Sequence, residues 1–271
     1  MTIWTCATCA IEHPCTPIPP QLCEICTDER QYVPASGQRW TTREELAAAG
    51  HQITVRELEP DLYAVECVPE FGIGQRGLLL RTAHGNLLWE PPGFIDDAGI
   101  AAIRTLGGIT VITASHPHLT GSSIQWSHAF GSVPVYVAAA DKTWIRRPDP
   151  VIQLWDTALE LLPGVRMIPC GGHFAGSSIV HWRDGAAGQG AILTGDTIGI
   201  GADRASVNVM RSYVNNIPLP ERAVRKILDT VMPLPFDRIY SAFRAVGSGS
   251  RPIVDWSLQR YISWIRGEVE E

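Results

Sequence analysis

Basic clusters, a secretion leader and long apolar runs are all missing from this chain, and each absence removes a class of function. Lysine and arginine number 22 against 28 acidic residues, for a formal charge of −6. They are scattered, whereas nucleic-acid binding needs concentrated positive charge to neutralise phosphates, so no nucleic-acid partner is expected. Met1 to Thr5 has neither the basic start nor the apolar stretch that directs secretion, and a cytoplasmic location is expected. Thr105 to Ala140 carries no formally charged residue, yet Gly, Pro, Ser and His interrupt it repeatedly. It reads as buried core rather than a membrane span. No amphipathic stretch has the basic face of a membrane-lying helix, so no membrane partner is expected either. No internal repeat or low-complexity tract is visible. At 271 residues and 45% hydrophobic content, the chain has material for one large core and a small appendage.

The appendage is marked by cysteine. Cys6-Ala7-Thr8-Cys9 is followed, thirteen residues on, by Cys23-Glu24-Ile25-Cys26. Paired C-x2-C turns of the zinc-ribbon or rubredoxin kind each supply two thiolates, and two facing turns complete a tetrahedral all-sulfur cage. Four prolines lie between residues 14 and 20, and a segment so short cannot bury a core of its own. A structural ion is therefore expected to hold residues 1–35 together, with Zn2+ the first assignment and iron left open. Disulfides are disfavoured by the close spacing and the missing leader. Cys15 is a spare that either replaces a ligand or packs.

The remaining residues, 36–271, are organised around Ser115-His116-Pro117-His118-Leu119-Thr120-Gly121. This polar cluster ends the β-branched run Ile109 to Ala114, which reads as a buried strand feeding a loop. Pro117 is expected to hold its neighbours extended, so that His116 and His118 point to one side. Two further apolar runs also end at polar groups: Val165 to Pro169 at Cys170-Gly171-Gly172-His173, and Ala191 to Leu193 at Thr194-Gly195-Asp196. Ligand groups collect where strands of an α/β sheet run out, so these ends are expected to share one metal site.

In order and spacing, His-x-His after a strand, Gly-His before Ala-Gly-Ser, and Thr-Gly-Asp at a strand end resemble the metallo-beta-lactamase superfamily over roughly residues 50 to 250. The resemblance implies an α+β fold, a four-layer αββα sandwich with the site on one edge of two sheets, preceded here by the small ribbon. It implies that His116, His118 and His173 are the histidines of the first metal site. Asp196 would be the carboxylate that bridges two metals. The family usually continues His-x-His-x-Asp-His, but Thr120 and Gly121 stand at the last two places. Its final histidine has no counterpart in Ser241-Ala242-Phe243-Arg244. The ligands particular to a second metal are thus absent, and a mononuclear site holding one Zn2+ or Fe2+ is expected.

Around these motifs the chain alternates. Thr42-Arg43-Glu44-Glu45 has the form of a capping box for a helix closing at Gly50. Strands are expected at Ile53–Arg56, Tyr63–Cys67, Gly77–Arg81, Leu87–Glu90 and Val133–Ala139. Asp97 is expected to cap a helix with Ile100, Ile103 and Leu106 inward, and Ser122 to Phe130 reads as another helix. Ile179–Trp182 and Ala191–Thr194 form a hairpin. Pro220 opens a helix with Val224, Ile227, Leu228 and Val231 on one face, and Val254, Leu258, Tyr261, Ile262 and Ile265 do the same in the last helix. Strand, helix and strand in succession require a crossover and a partly parallel sheet. His84 and His181 read as structural, His128 as a packing or surface residue with a role at the pocket wall left open, and Trp144 and Trp155 as core. Arg204, Arg211 and Tyr213 follow Asp196 closely enough to wall a pocket.

Three neutral imidazoles leave a fourth position on tetrahedral zinc, where water has its pKa brought to about 7. Asp196 is then placed to orient or deprotonate that water, and Thr120 to hydrogen-bond water or substrate. This describes a hydrolase of an ester, thioester, lactone or amide, with a small-molecule substrate. A binding module whose ion is closed by Asp196, and a mononuclear iron oxygenase, are the alternatives.

Overall fold

The computed structural model describes residues 1–269, and the chain divides into two compact units, Met1–Trp155 and Asp156–Glu271. The first begins with a three-stranded sheet of β1 (Thr2–Cys6), β2 (Glu12–Thr16) and β3 (Trp40–Thr41), in the order β2-β1-β3. Cys6, Cys9, Cys23 and Cys26 are buried together with Ile11 and Ile25, and Trp40 and Trp144 pack against them. So few apolar side chains make a weak core, which leaves the cysteines to hold the segment.

Next comes α1 (Arg43–Ala48), whose Thr42 hydroxyl accepts from Glu45 N while the Glu45 carboxylate accepts from Thr42 N, the reciprocal capping box expected. A seven-stranded sheet then forms from β4 (Gln52–Glu59), β5 (Leu62–Val68), β6 (Gly77–Thr82), β7 (Gly85–Trp89), β8 (Val111–Thr113), β9 (Val135–Ala138) and β10 (Ile152–Trp155). β4 to β7 run antiparallel, while β7, β8, β9 and β10 pair in parallel. The crossovers that parallel pairing demands are α2 (Asp97–Thr105) between β7 and β8, and α3 (Ser123–Ala129) between β8 and β9. Ile100 and Ile103 of α2, with Ile124 and Trp126 of α3, join Val65, Leu79, Leu88 and Ile112 from the strands in one core.

The second unit holds a six-stranded sheet of β11 (Leu159–Leu162), β12 (Val165–Pro169), β13 (Ser178–Trp182), β14 (Ala191–Gly195), β19 (Arg238–Ser241) and β20 (Ala245–Val246), in that order. Between β14 and β19 lie the short pairs β15 (Gly199–Ile200) with β16 (Val207–Asn208) and β17 (Met210–Ser212) with β18 (Ile217–Pro218), then α4 (Glu221–Val231); α5 (Ser250–Arg266) closes the fold. β13 and β14 form the expected hairpin, and His181 in β13 reaches the Pro235 carbonyl at 2.8 Å, a structural role. Val224, Ile227, Leu228 and Val231 of α4 meet Val254, Leu258 and Ile262 of α5 over Ile179, Ile192 and Ile239 of the sheet.

Three local expectations are corrected. The cap of α2 is Asp96, not Asp97: Asp96 is extended (φ −133°, ψ 169°) and its carboxylate accepts from Gly99 N at 2.7 Å and from Ile53 N at 3.0 Å. Asp97 is already helical and its exposed carboxylate pairs with Arg43. Ile265 does not face the core but is exposed with Trp256 and Trp264, because the buried stripe of α5 ends at Ile262. Glu90 is not a strand residue; its backbone turns left-handed at φ 56° directly after β7. Among the described residues, no helix is long and apolar enough to cross a membrane.

Because the Asp96 carboxylate ties the start of α2 to β4, Asp96→Ala is expected to lower unfolding free energy by about 1–2 kcal/mol in urea titrations. Asp97→Ala, which removes one exposed ion pair, is expected to change it by less than about 0.5 kcal/mol.

Candidate metal centres

Each of the three imidazoles is delivered by the end of a strand. β8 carries Thr113 into Ala114 and Ser115, and His116 is extended (φ −165°, ψ 172°). Pro117 does not keep the next residues extended, however. It opens a 3-10 turn, Pro117–Leu119, because its fixed φ suits the first position of a helical turn as well as an extended strand. His118 is thus presented by a turn, and its ring centroid lies 5.0 Å from that of His116, edge to face. The Thr120 hydroxyl donates to the Pro117 carbonyl at 3.1 Å and closes the turn.

Behind His116 stands a pair of side chains that sequence inspection missed. The Ser115 hydroxyl donates to Glu90 Oε1 at 2.5 Å, and its oxygen lies 2.8 Å from His116 Nδ1. A hydroxyl has one hydrogen to give, so at Nδ1 it accepts, and His116 carries its proton there. Nε2 is left as the lone-pair nitrogen. Glu90 is completely buried, and its left-handed backbone, unusual for a residue with a side chain, aims the carboxylate at Ser115. The only sequence signal was a Glu-Pro-Pro-Gly run directly after a strand.

His173 follows β12 through Gly171 and Gly172, both at positive φ, so the chain turns sharply off the strand. Its Nδ1 lies 3.2 Å from the Met210 carbonyl, which fixes the proton on Nδ1 and again leaves the lone pair on Nε2. Tyr213 packs its ring 5.6 Å from the His173 ring, donates toward the Asp196 carbonyl at 3.1 Å and receives Gly199 N. Arg211 reaches the His173 carbonyl at 3.4 Å, while Arg204 is exposed. Asp196 lies one residue beyond β14, and burial pushes its carboxyl up to about 7.

His116, His118 and His173 form one buried group, each offering a ring nitrogen within 4.8 Å of the others. Among the described residues this group contains no carboxylate. The donor set fits a divalent ion: three buried imidazoles each offer a ring nitrogen, and His116 and His173 are held at Nδ1 by a hydrogen-bond partner, as ligating histidines are. A second ion of the two-metal kind has no place for its ligand at position 121. Gly121 has φ 50°, and a Cβ there would stand 2.0 Å from the Pro91 carbonyl oxygen, so no histidine can occupy it.

The cysteine group fits an ion equally well. Cys6, Cys9, Cys23 and Cys26 converge within 4.8 Å, with Sγ···Sγ separations of 3.6 Å for Cys6 to Cys26 and for Cys9 to Cys23. Four sulfurs about 2.3 Å from one zinc stand about 3.8 Å apart, whereas a disulfide needs about 2.05 Å. All four are free thiols. Hydrogen bonds from Cys26, Cys6 and Cys9 hold Cys23 far below the ordinary thiol range, and Gln38 Nε2 donates to Cys6 Sγ at 3.1 Å. Cys15 is exposed on β2 and takes no part.

No family model matches the chain. The uncharacterized protein YmaE of Bacillus subtilis (strain 168) is 40% identical over 272 residues, spanning 99% of both chains. Among solved structures, a B3 metallo-beta-lactamase with an active-site glutamic acid aligns with 90% of this chain and 100% of its own (TM-score 0.55, 14% identity). DIM-1 metallo-beta-lactamase aligns with 78% and 98% (TM-score 0.57, 13% identity). TTHA1623 in a di-iron-bound form aligns with 68% and 93% (TM-score 0.50, 19% identity).

Removing a group that orients a ligand commonly lowers metal affinity about 10–100-fold. Ser115→Ala and Glu90→Gln are each expected to weaken metal binding at the imidazoles by that factor in chelator competition, leaving the cysteine-bound equivalent in place. Unchanged affinity in both variants would remove Glu90 and Ser115 from the account.

Proposed function

Since the chain belongs to the family of Bacillus subtilis YmaE and has the αββα metallo-beta-lactamase fold with a four-cysteine cluster at its start, we propose that it is a mononuclear metal-dependent hydrolase. Its substrate is a small molecule with an ester, thioester, lactone or amide carbonyl. The observation that carries this reading is the buried group of three imidazoles, His116, His118 and His173. A tetrahedral ion held by three imidazoles would keep one position for water, the arrangement of a catalytic site, whereas closure by Asp196 as a fourth ligand would favour a binding module. One Zn2+ or Fe2+ fits the imidazoles and Zn2+ the cysteines. When bound, a divalent ion held in this way supplies Lewis acidity, enough to bring the pKa of a coordinated water to about 7.

The chain's own groups do the rest. Glu90 and Ser115 keep the His116 proton on Nδ1, and the Met210 carbonyl does the same for His173, so neither ring can rotate its lone pair away. Asp196, buried one residue beyond β14 with its carboxyl raised by that burial, is the carboxylate assigned to accept the proton as general base. Tyr213 steadies the Asp196 backbone. Thr120 keeps its oxygen lone pairs available to water or substrate while its proton holds the Pro117 turn.

The test is a panel of ester, thioester, lactone and amide substrates with metal content measured on each variant. His116→Ala is expected to lose the imidazole-bound ion and all turnover. Asp196→Asn is expected to retain the ion and lose about 10²–10⁴ in kcat. Full turnover by His116→Ala overturns the reading.

A further inference from the structure

The ribbon is seated in the first unit at two points, and both adjoin the loop that carries His116 and His118. The first is the knuckle after Cys9. Ala10 has φ 62°, its N–H closes the turn onto the Cys6 carbonyl at 2.9 Å, and it lies against the backbone of Gly72 and Gly93. A Cβ on Gly93 would come within 2.3 Å of Ala10 Cβ, and one on Gly72 within 2.5 Å, so this seat admits glycine alone. Gly93 stands three residues beyond Glu90.

The second point is Glu12, three residues beyond Cys9. Its side chain is 3% exposed, a rare position for a carboxylate. One oxygen accepts from Ile124 N at 2.5 Å, the other pairs with Arg147, and the Glu12 backbone N–H donates to the Gly121 carbonyl at 3.2 Å. Burial raises the Glu12 pKa and the Arg147 guanidinium opposes that rise. Gly121 and Ile124 bracket the exit of the turn in which His118 sits. Ile11 and Glu12 also share the wall of a pocket with His116 and Thr120, so the ribbon and the loop face the same space.

A buried carboxylate that loses one of its partners costs several kcal/mol, so the segment bearing Glu12 and the loop bearing the imidazoles must hold their positions together. What positions Glu12 is the Cys6–Cys9 turn, and an ion on the four thiolates would fix that turn. We infer that Glu12 is a positioning residue that couples the two metal sites, so that occupancy of the cysteine site sets the metal affinity of the imidazole site. This rests on the reading that His116, His118 and His173 hold an ion, though not on any hydrolytic activity.

The experiment loads the full chain with one equivalent of Zn2+, which the four thiolates take, and titrates Co2+ into the imidazole site by its visible absorption. Glu12→Gln and, as a second variant that leaves the ribbon untouched, Arg147→Gln are compared with the wild type. Cys26→Ser, which weakens the ribbon's ion, is titrated in parallel. Cobalt affinity is expected to fall about tenfold or more in Glu12→Gln and in Cys26→Ser, and to fall measurably in Arg147→Gln, with one zinc retained in both Glu12→Gln and Arg147→Gln. A purely structural Glu12 would lower the unfolding midpoint and leave cobalt affinity unchanged in all three, and that result overturns the coupling alone. A wild type that takes up no cobalt on nitrogen ligands overturns the coupling together with the reading beneath it.

Discussion

Three imidazoles buried within 4.8 Å of one another cannot all carry protons on their facing nitrogens, and this constraint governs the arrangement around them. Charged rings so close would repel in a medium that screens them poorly. Acceptors on the outward nitrogens fix where a ring proton sits: the Ser115 hydroxyl, already committed to Glu90, for His116, and the Met210 carbonyl for His173. The inward nitrogens then present lone pairs, and lone pairs facing one another are stabilised by a cation. Much of the local strain follows from this demand. The left-handed Glu90 brings a carboxylate behind Ser115, and Gly171 and Gly172 turn His173 off its strand.

The same stretch of backbone leaves no room for a side chain at position 121. Gly121 lies so close to the Pro91 carbonyl that no side chain fits, and Pro91 immediately follows Glu90. The backbone excursion that places Glu90 thereby fills the space that a side chain at position 121 would need. On the other side of the loop the ribbon contributes Glu12, which reaches across more than a hundred residues of sequence to Ile124. The small cysteine-bearing segment and the loop that carries His116 and His118 thus share one set of buried hydrogen bonds.

Much of this was legible in the sequence where chemistry repeats at short range. Paired C-x2-C spacing announced the cysteine cluster because each turn is a local object, and the strand ends at His116, His118 and His173 announced the second group. The Thr42 box was readable for the same reason. Other features depend on distant partners. Asp96 and Asp97 are adjacent and chemically identical, and only the approach of Ile53 N to Asp96 decides between them. Glu90 reads in the sequence as the end of a strand, and its φ of 56° places it outside β7. Glu12 had no local signal, since an acidic residue beside prolines ordinarily faces solvent. Ile265 continues a helical pattern, but the last turn of α5 leaves it exposed.

The central claim is that the imidazoles, and not the thiolates alone, hold an ion. X-ray absorption at the metal edge of the fully loaded chain tests it most directly, because zinc–sulfur and zinc–nitrogen bonds differ by about 0.2–0.3 Å. The expected result is two ions per chain and two shells, sulfur near about 2.3 Å and nitrogen or oxygen near about 2.0–2.1 Å. One ion per chain with a sulfur shell only would contradict the account.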